Sequence, residues 1–144
     1  MKLLDSYFRI ISHSETDGQH VFSVQMLSDH PVYQGHFPGN PVSPGVCNMQ
    51  MLKECAEAAI GQSTDLVEVK QYRLMGVITP QKTPRLTITV KLTPSEPVTV
   101  QSAKGQIEQN MATLTANVTA DGTSYIDFKG TLVYGIDSRV YLAR

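Results

Sequence analysis

Three prolines and three glycines fall between Gly35 and Gly45, around a single histidine, His36. No other part of the chain is so constrained. Pro38, Pro41 and Pro44 each fix φ and remove an N–H donor, which excludes both helix and mid-sheet from this stretch. They also lower the entropy lost when the loop orders. A segment of this kind holds a side chain still, and the side chain with chemistry to offer is His36. Ser43-Pro44 then reads as N-cap and first helical residue. Gly61 supplies a left-handed stop, so the spacing predicts a helix over 44–60.

On that helix Gln50, Lys53, Glu54 and Glu57 fall on one side. Cys47, Met51, Leu52, Cys55, Ala58 and Ala59 cover much of the rest. Asn48 sits alone on the apolar side and needs a hydrogen-bond partner, for which a dimer seam is one source. The polar stripe has a bland reading, a solvated face, and a functional one, because it begins beside the histidine loop. Cys47 and Cys55 would lie about 12 Å apart along the axis, beyond disulfide reach. They read as core thiols in a reducing cytoplasm.

The rest of the chain alternates with a period of two. Residues 7–11 are a short β-rich run, and Asp17-Gly18 is a hairpin signal before a half-buried strand at 19–27. After the helix, strands are expected over 66–74, 85–92, 98–107, 111–119 and 123–134. Turns are expected at 80–84, 94–97, Gln109-Asn110 and Asp121-Gly122, with Gly105 as a bulge. Two strands, one long helix and four or five further strands make an α+β domain in which an antiparallel sheet wraps one central helix. The open edges of such a sheet favour pairing into a dimer.

Length and charge narrow the function. At 144 residues the chain is expected to be one domain, 1–144. A domain of this size buries roughly 68–70% of its unfolded surface and needs no staple. The net charge of -1 offers no basic excess for nucleic acid. No run approaches the ~18 apolar residues of a membrane span, and no signal peptide is expected. His13, His20, His30 and His36 lack zinc spacing, so neither a metal nor another cofactor is expected. His13 and His20 read as surface residues flanking the first hairpin, and His30 as a weak candidate near the loop.

The run Gln34-Gly35-His36-Phe37-Pro38-Gly39, with Pro41-Val42 and Pro44-Gly45-Val46, resembles the signature of the FabZ- and FabA-like 3-hydroxyacyl-acyl carrier protein dehydratases of the hotdog superfamily. The motif covers only about twenty residues, but three separate pieces keep their spacing. The order of elements agrees with a hotdog fold along the whole chain. The breaker Ile78-Thr79-Pro80 agrees too, although Gln81-Lys82 stands where Gly-Asp often follows.

The resemblance implies a lyase acting on an acyl thioester carried by the phosphopantetheine arm of acyl carrier protein, in fatty acid or related acyl-chain synthesis. It implies His36 as base on the α-carbon proton, and a substrate-binding set of Gly45, Val46 and Phe37, with the Gly45 N–H polarising the thioester carbonyl. It also implies a site at a dimer interface. An imidazole suits proton removal at neutral pH, and a helix N-terminus stabilises enolate charge.

The departure is at the acid. The family carries Glu or Asp fourteen residues after the histidine and Gln one turn later; here those positions hold Gln50 and Glu54. An amide cannot deliver a net proton to a leaving hydroxyl. Three readings stay open. Glu54, about 6 Å away at i+4, stands in as the acid. Alternatively, His36 shuttles the proton alone. In the third, the chain is a non-catalytic or partner-dependent subunit that binds acyl thioesters and completes a mixed site in a heterodimer with a full dehydratase. Thioester hydrolysis on the same fold is the weaker alternative, since it usually relies on a carboxylate where Gln50 stands.

Overall fold

The fold was analysed in a computed structural model that describes residues 2–35, 42–103 and 105–135. In chain order these form β1 (Phe8–Thr16), β2 (Gln19–Met26), a single turn α1 (Val32–Gly35), α2 (Gly45–Ile60), β3 (Thr64–Leu74), β4 (Arg85–Ser102), β5 (Gly105–Ala120) and β6 (Thr123–Tyr134). The strands make one sheet in the order β1-β2-β4-β5-β6-β3, with every pairing antiparallel. The sheet curls around α2, which is the hotdog arrangement.

Two of the connections are set by two residues each. Asp17 and Gly18 have φ of 52° and 78°, and Asp121 and Gly122 have 50° and 78°. Both central residues at positive φ define the turn whose twist matches paired strands. The expected helix is present, with Gly61 as its left-handed C-cap donating to the Glu57 carbonyl at 2.8 Å. Its buried face, including Cys47, Met51, Leu52 and Cys55, meets Phe22, Val24, Leu86, Ile88 and Leu114 from the sheet. Met51 and Leu52 are fully buried, each contributing roughly 1.5–3 kcal/mol on removal from water. Glu57 ties the end of the helix to β3 by accepting from the Thr64 N–H at 2.7 Å, and it also accepts from Lys53 one turn earlier on the helix at 3.2 Å.

Some expected breaks are absent. β1 runs on to Thr16 through a register shift between Ile10 and Ser12, rather than ending at residue 11. The expected turn at 94–97 is an irregularity inside β4, where the register shifts between Ser95 and Val98. Pro97 lies within this shift, and Pro94 beside it, paired with Ala112 on a part of β4 beyond its pairing with β2, so neither stops the strand. Gln109-Asn110 lies within β5. The chain reverses instead at Gly105, which pairs with Ser102 and has φ of 111°. The expected strands 98–107 and 111–119 are therefore parts of one long hairpin.

His13 and His20 face each other across the first hairpin, with Nε2 to Nδ1 at 2.8 Å, and Glu15 lies 2.9 Å from His20 Nε2. His13 also stacks on Phe22, 4.2 Å between ring centres. The pair thus covers the end of the core.

Burial, and secondarily the Glu54 charge, push the Cys55 thiol up to about 12 from its ordinary 9.0. Burial and the neighbouring Tyr33 also raise the Tyr7 phenol. Between about pH 9 and 12 the unfolded chain releases the Cys55 proton while the folded chain keeps it. Stability is therefore expected to fall as pH rises through that window, approaching ~1.4 kcal/mol per pH unit for one such group. Urea unfolding at pH 8 and pH 10 measures it, and Cys55→Ala should show a shallower decline. A flat profile in the parent would mean that the thiol ionises freely in the folded protein.

Candidate active site at the start of α2

The chain enters α2 under restraint. The Ser43 N–H donates to the Ile78 carbonyl at 2.8 Å, and the Ser43 hydroxyl meets the Tyr33 hydroxyl at 3.1 Å. The side chain expected to cap the helix is thereby held elsewhere. Pro44 takes the N-cap position instead, with extended φ and ψ of −68° and 146° and no side-chain cap. Its carbonyl accepts the Asn48 N–H at 3.0 Å, the first bond of the helix. The N–H groups of Gly45, Val46 and Cys47 precede that bond, where no carbonyl of the helix can reach them. They carry the positive end of the helix dipole. The Val46 side chain points outward and is 62% exposed.

Behind this entrance lies a buried network. Asn48, 1% exposed, accepts the Tyr7 hydroxyl on Oδ1 at 2.9 Å and donates from Nδ2 to the Tyr72 hydroxyl at 3.4 Å. Its partners come from β3 and the segment before β1 of the same chain, so no dimer seam is needed to satisfy it. Tyr7 stacks on Tyr33 with 5.9 Å between ring centres and meets His30 edge-on at 5.6 Å. His30 Nδ1 accepts the Val32 N–H at 3.1 Å, which starts α1. That contact gives His30 a structural task.

His36 and Phe37 lie outside the described residues. Their flanks are described: α1 ends at Gly35, and Ser43 is fixed as above. Gly45 and Val46 form the first turn of α2, and Gln50 and Glu54 follow on the same helix. The structure brings these last two together, with Gln50 Nε2 donating to Glu54 Oε2 at 2.9 Å. Gln50 also borders a groove of about 320 Å³ between α2 and β3, with Val46, Met49, Lys53, Leu66 and Val69. Glu54 turns away from solvent. It is 5% exposed and accepts the Leu3 and Leu4 N–H groups at 2.7 and 2.8 Å.

Sequence reasoning missed Tyr7, Tyr33 and Tyr72. The phenols lie in separate elements, and no local spacing links them to Asn48. The one available signal was an asparagine on an apolar helix face, which demands buried partners.

A family model described as ApeI-like, ApeI dehydratase, matches residues 12–117. The chain belongs to the ApeI-like dehydratase family. The ApeI-like chain is also similar to 3-hydroxyacyl-[acyl-carrier-protein] dehydratase FabZ of Nitratidesulfovibrio vulgaris strain DP4, 42% identical over 50 residues, which are 34% of this chain and 32% of that protein. FabZ of Symbiobacterium thermophilum is 39% identical over 44 residues, 30% of this chain and 31% of that one. These matches span about a third of the FabZ proteins' length. Among solved structures, the dehydratase heterocomplex ApeI:P from Xenorhabdus doucetiae contains a chain with a TM-score of 0.59 at 15% identity, covering 87% of this chain and 96% of that one. PA5202 from Pseudomonas aeruginosa gives 0.55 at 10% identity, covering 89% and 88%. At these identities the likeness is one of fold, and it is to hotdog proteins. The chain thus belongs by sequence to the ApeI-like dehydratase family and shares the fold of these hotdog proteins. Among the described residues no helix is long and apolar enough to cross a membrane, and no cluster of His, Cys, Asp and Glu could hold a metal ion.

Proposed function

We propose that this ApeI-like chain removes water from 3-hydroxyacyl thioesters carried on acyl carrier protein, giving trans-2-enoyl thioesters. The observation that carries the reading is the start of α2. A helix entrance with no side-chain cap, held in place through Ser43, directly follows the segment that bears His36. In this reading His36 takes the α-carbon proton, and the electron pair moves toward the thioester carbonyl. Its oxygen gains negative charge beside the Gly45 and Val46 N–H groups. The pair then returns to form the α–β double bond as the β-hydroxyl leaves, and water completes the balance when that hydroxyl receives a proton. Gln50 cannot supply it, and Glu54 already accepts from three donors. Protonated His36 is the donor within the chain.

A second reading has specific support: the proton comes from a partner. β3 is an edge of the described sheet, and Val67, Val69 and Leu74 on it, together with Met75 and Val77 just after it and Val46 at the start of α2, are exposed apolar side chains. A second hotdog subunit adding to this edge would cover them and bring its own side chains to the groove at Gln50. A structural neighbour belongs to a heterocomplex, which fits a partner dehydratase as well as a second copy.

Hydration of crotonyl-pantetheine by the purified chain, the reverse reaction, tests both readings when sedimentation velocity is run on the same sample. Turnover by the chain alone supports the first. An inert chain that becomes active with a co-purified hotdog partner supports the second. Gln50→Glu is expected to raise the rate about 10²-fold or more, because two carboxyl groups this close hold a proton between them. A chain that remains inert in every case, with no binding of the acyl thioester, ends the dehydratase reading.

A further inference from the structure

We propose that Tyr72 is a second hydrogen-bond donor to the substrate's carbonyl oxygen, beside the N–H groups that open α2, and that Tyr7 and Asn48 orient its hydroxyl. The proposal rests on the function proposed above and names a residue that the motif does not contain.

The argument starts from the direction of the hydrogen bonds. Tyr7 donates its hydroxyl hydrogen to Asn48 Oδ1 at 2.9 Å. An amide oxygen only accepts and an amide nitrogen only donates. Asn48 Nδ2 is therefore the group facing Tyr72, and the Tyr72 oxygen is the acceptor in that 3.4 Å contact. The Tyr72 hydrogen is not used in that contact. Among the described residues no acceptor receives it.

Position supplies the second part. The Tyr72 hydroxyl oxygen lies 3.6 Å from where a Cβ on Gly45 would be, so it sits against the first residue of the helix. The phenol, from β3, thus packs against the residue whose N–H opens α2. Tyr72 is half-buried, with its hydroxyl tied to a buried amide. A donor fixed in this way needs little reorganisation as charge develops on an acyl oxygen, which is when it contributes most. Asn48 and Tyr7 are positioning residues in this arrangement, since they act through Tyr72.

The test reads enolate formation without requiring the hydroxyl to leave. Butyryl-pantetheine in D2O exchanges its α-hydrogens when a base and an oxyanion site act on it, and NMR follows the exchange whether or not an acid is present. Tyr72→Phe keeps the ring and removes only the donor. It is expected to lower the kcat for exchange about 10²-fold with KM unchanged, while Tm falls slightly because Asn48 Nδ2 loses its acceptor. Asn48→Asp turns the donor facing Tyr72 into an acceptor that captures its hydrogen. It should therefore lower exchange similarly, and the double variant should be no slower than Tyr72→Phe alone. If the parent exchanges and Tyr72→Phe matches it, or loses only KM or Tm, the Tyr72 proposal is overturned and the dehydratase reading stands. If the parent neither exchanges nor binds butyryl-pantetheine, the dehydratase reading fails and takes the Tyr72 proposal with it.

Discussion

Replacing Glu54 by alanine is expected to lower the stability of the folded chain by about 2–4 kcal/mol, through the loss of an anchor for the N-terminal segment. The carboxylate accepts the Leu3 N–H at 2.7 Å, the Leu4 N–H at 2.8 Å and the Gln50 amide at 2.9 Å. Leu3 is itself 2% exposed, so its N–H would be left buried without an acceptor. The Leu3 side chain in the core and a tight turn of the segment's own backbone hold the rest of it. Leu3 accepts the Tyr7 N–H at 2.8 Å, and Asp5 takes the left-handed conformation with φ of 70°. A glutamine at 54 keeps one acceptor but turns an N–H toward a backbone N–H, so Glu54→Gln is expected to cost about 1–2 kcal/mol. Urea unfolding with an unchanged m-value measures both. If either variant is as stable as the parent within ~0.5 kcal/mol and yet has no turnover, Glu54 is the relocated acid and not an anchor.

The second large effect is on rate. His36→Ala is expected to lower crotonyl-pantetheine hydration about 10²–10⁴-fold, the usual contribution of a positioned general base. Its unfolding midpoint is expected to stay close to the parent's, which separates loss of the base from loss of the fold. The contrast with Glu54→Ala is the informative result: one variant folds and does not react, and the other reacts in proportion to the fraction that folds. Retention of the parent rate within threefold by His36→Ala would place the base elsewhere.

What could be read from the sequence was local. The end of α2, its start to within one residue, the left-handed stop at Gly61 and the two Asp-Gly turns follow from residues adjacent in the chain. The long β4–β5 hairpin did not, because Pro94, Pro97 and Gln109-Asn110 carry breaker chemistry that a register shift absorbs once a neighbouring strand is in place. The same division holds at the site. Gly45 and Val46 were placed by the motif and lie at the helix entrance. The polar stripe was read correctly as a row, but Glu54 is buried because a segment 51 residues earlier folds over it. The Tyr7–Asn48 and Asn48–Tyr72 contacts join residues 41 and 24 apart. No periodicity reports pairings of that kind. The motif's own His36 and Phe37 fall outside the described residues, so their proposed roles rest on the sequence.

The sheet order has a kinetic consequence. β1 with β2 and β5 with β6 are joined by two-residue turns and can pair as soon as they are made. β3 follows α2 directly, yet its pairing partner is β6, with the whole β4–β5 hairpin lying between them in sequence. Its loop cannot close until that hairpin has formed, and long closures come late because their entropy cost precedes any contact. The β2–β4 pairing spans a comparable stretch of sequence, so the strand that carries Tyr72 is expected to dock late, with these two long-range pairings completing the sheet around the site.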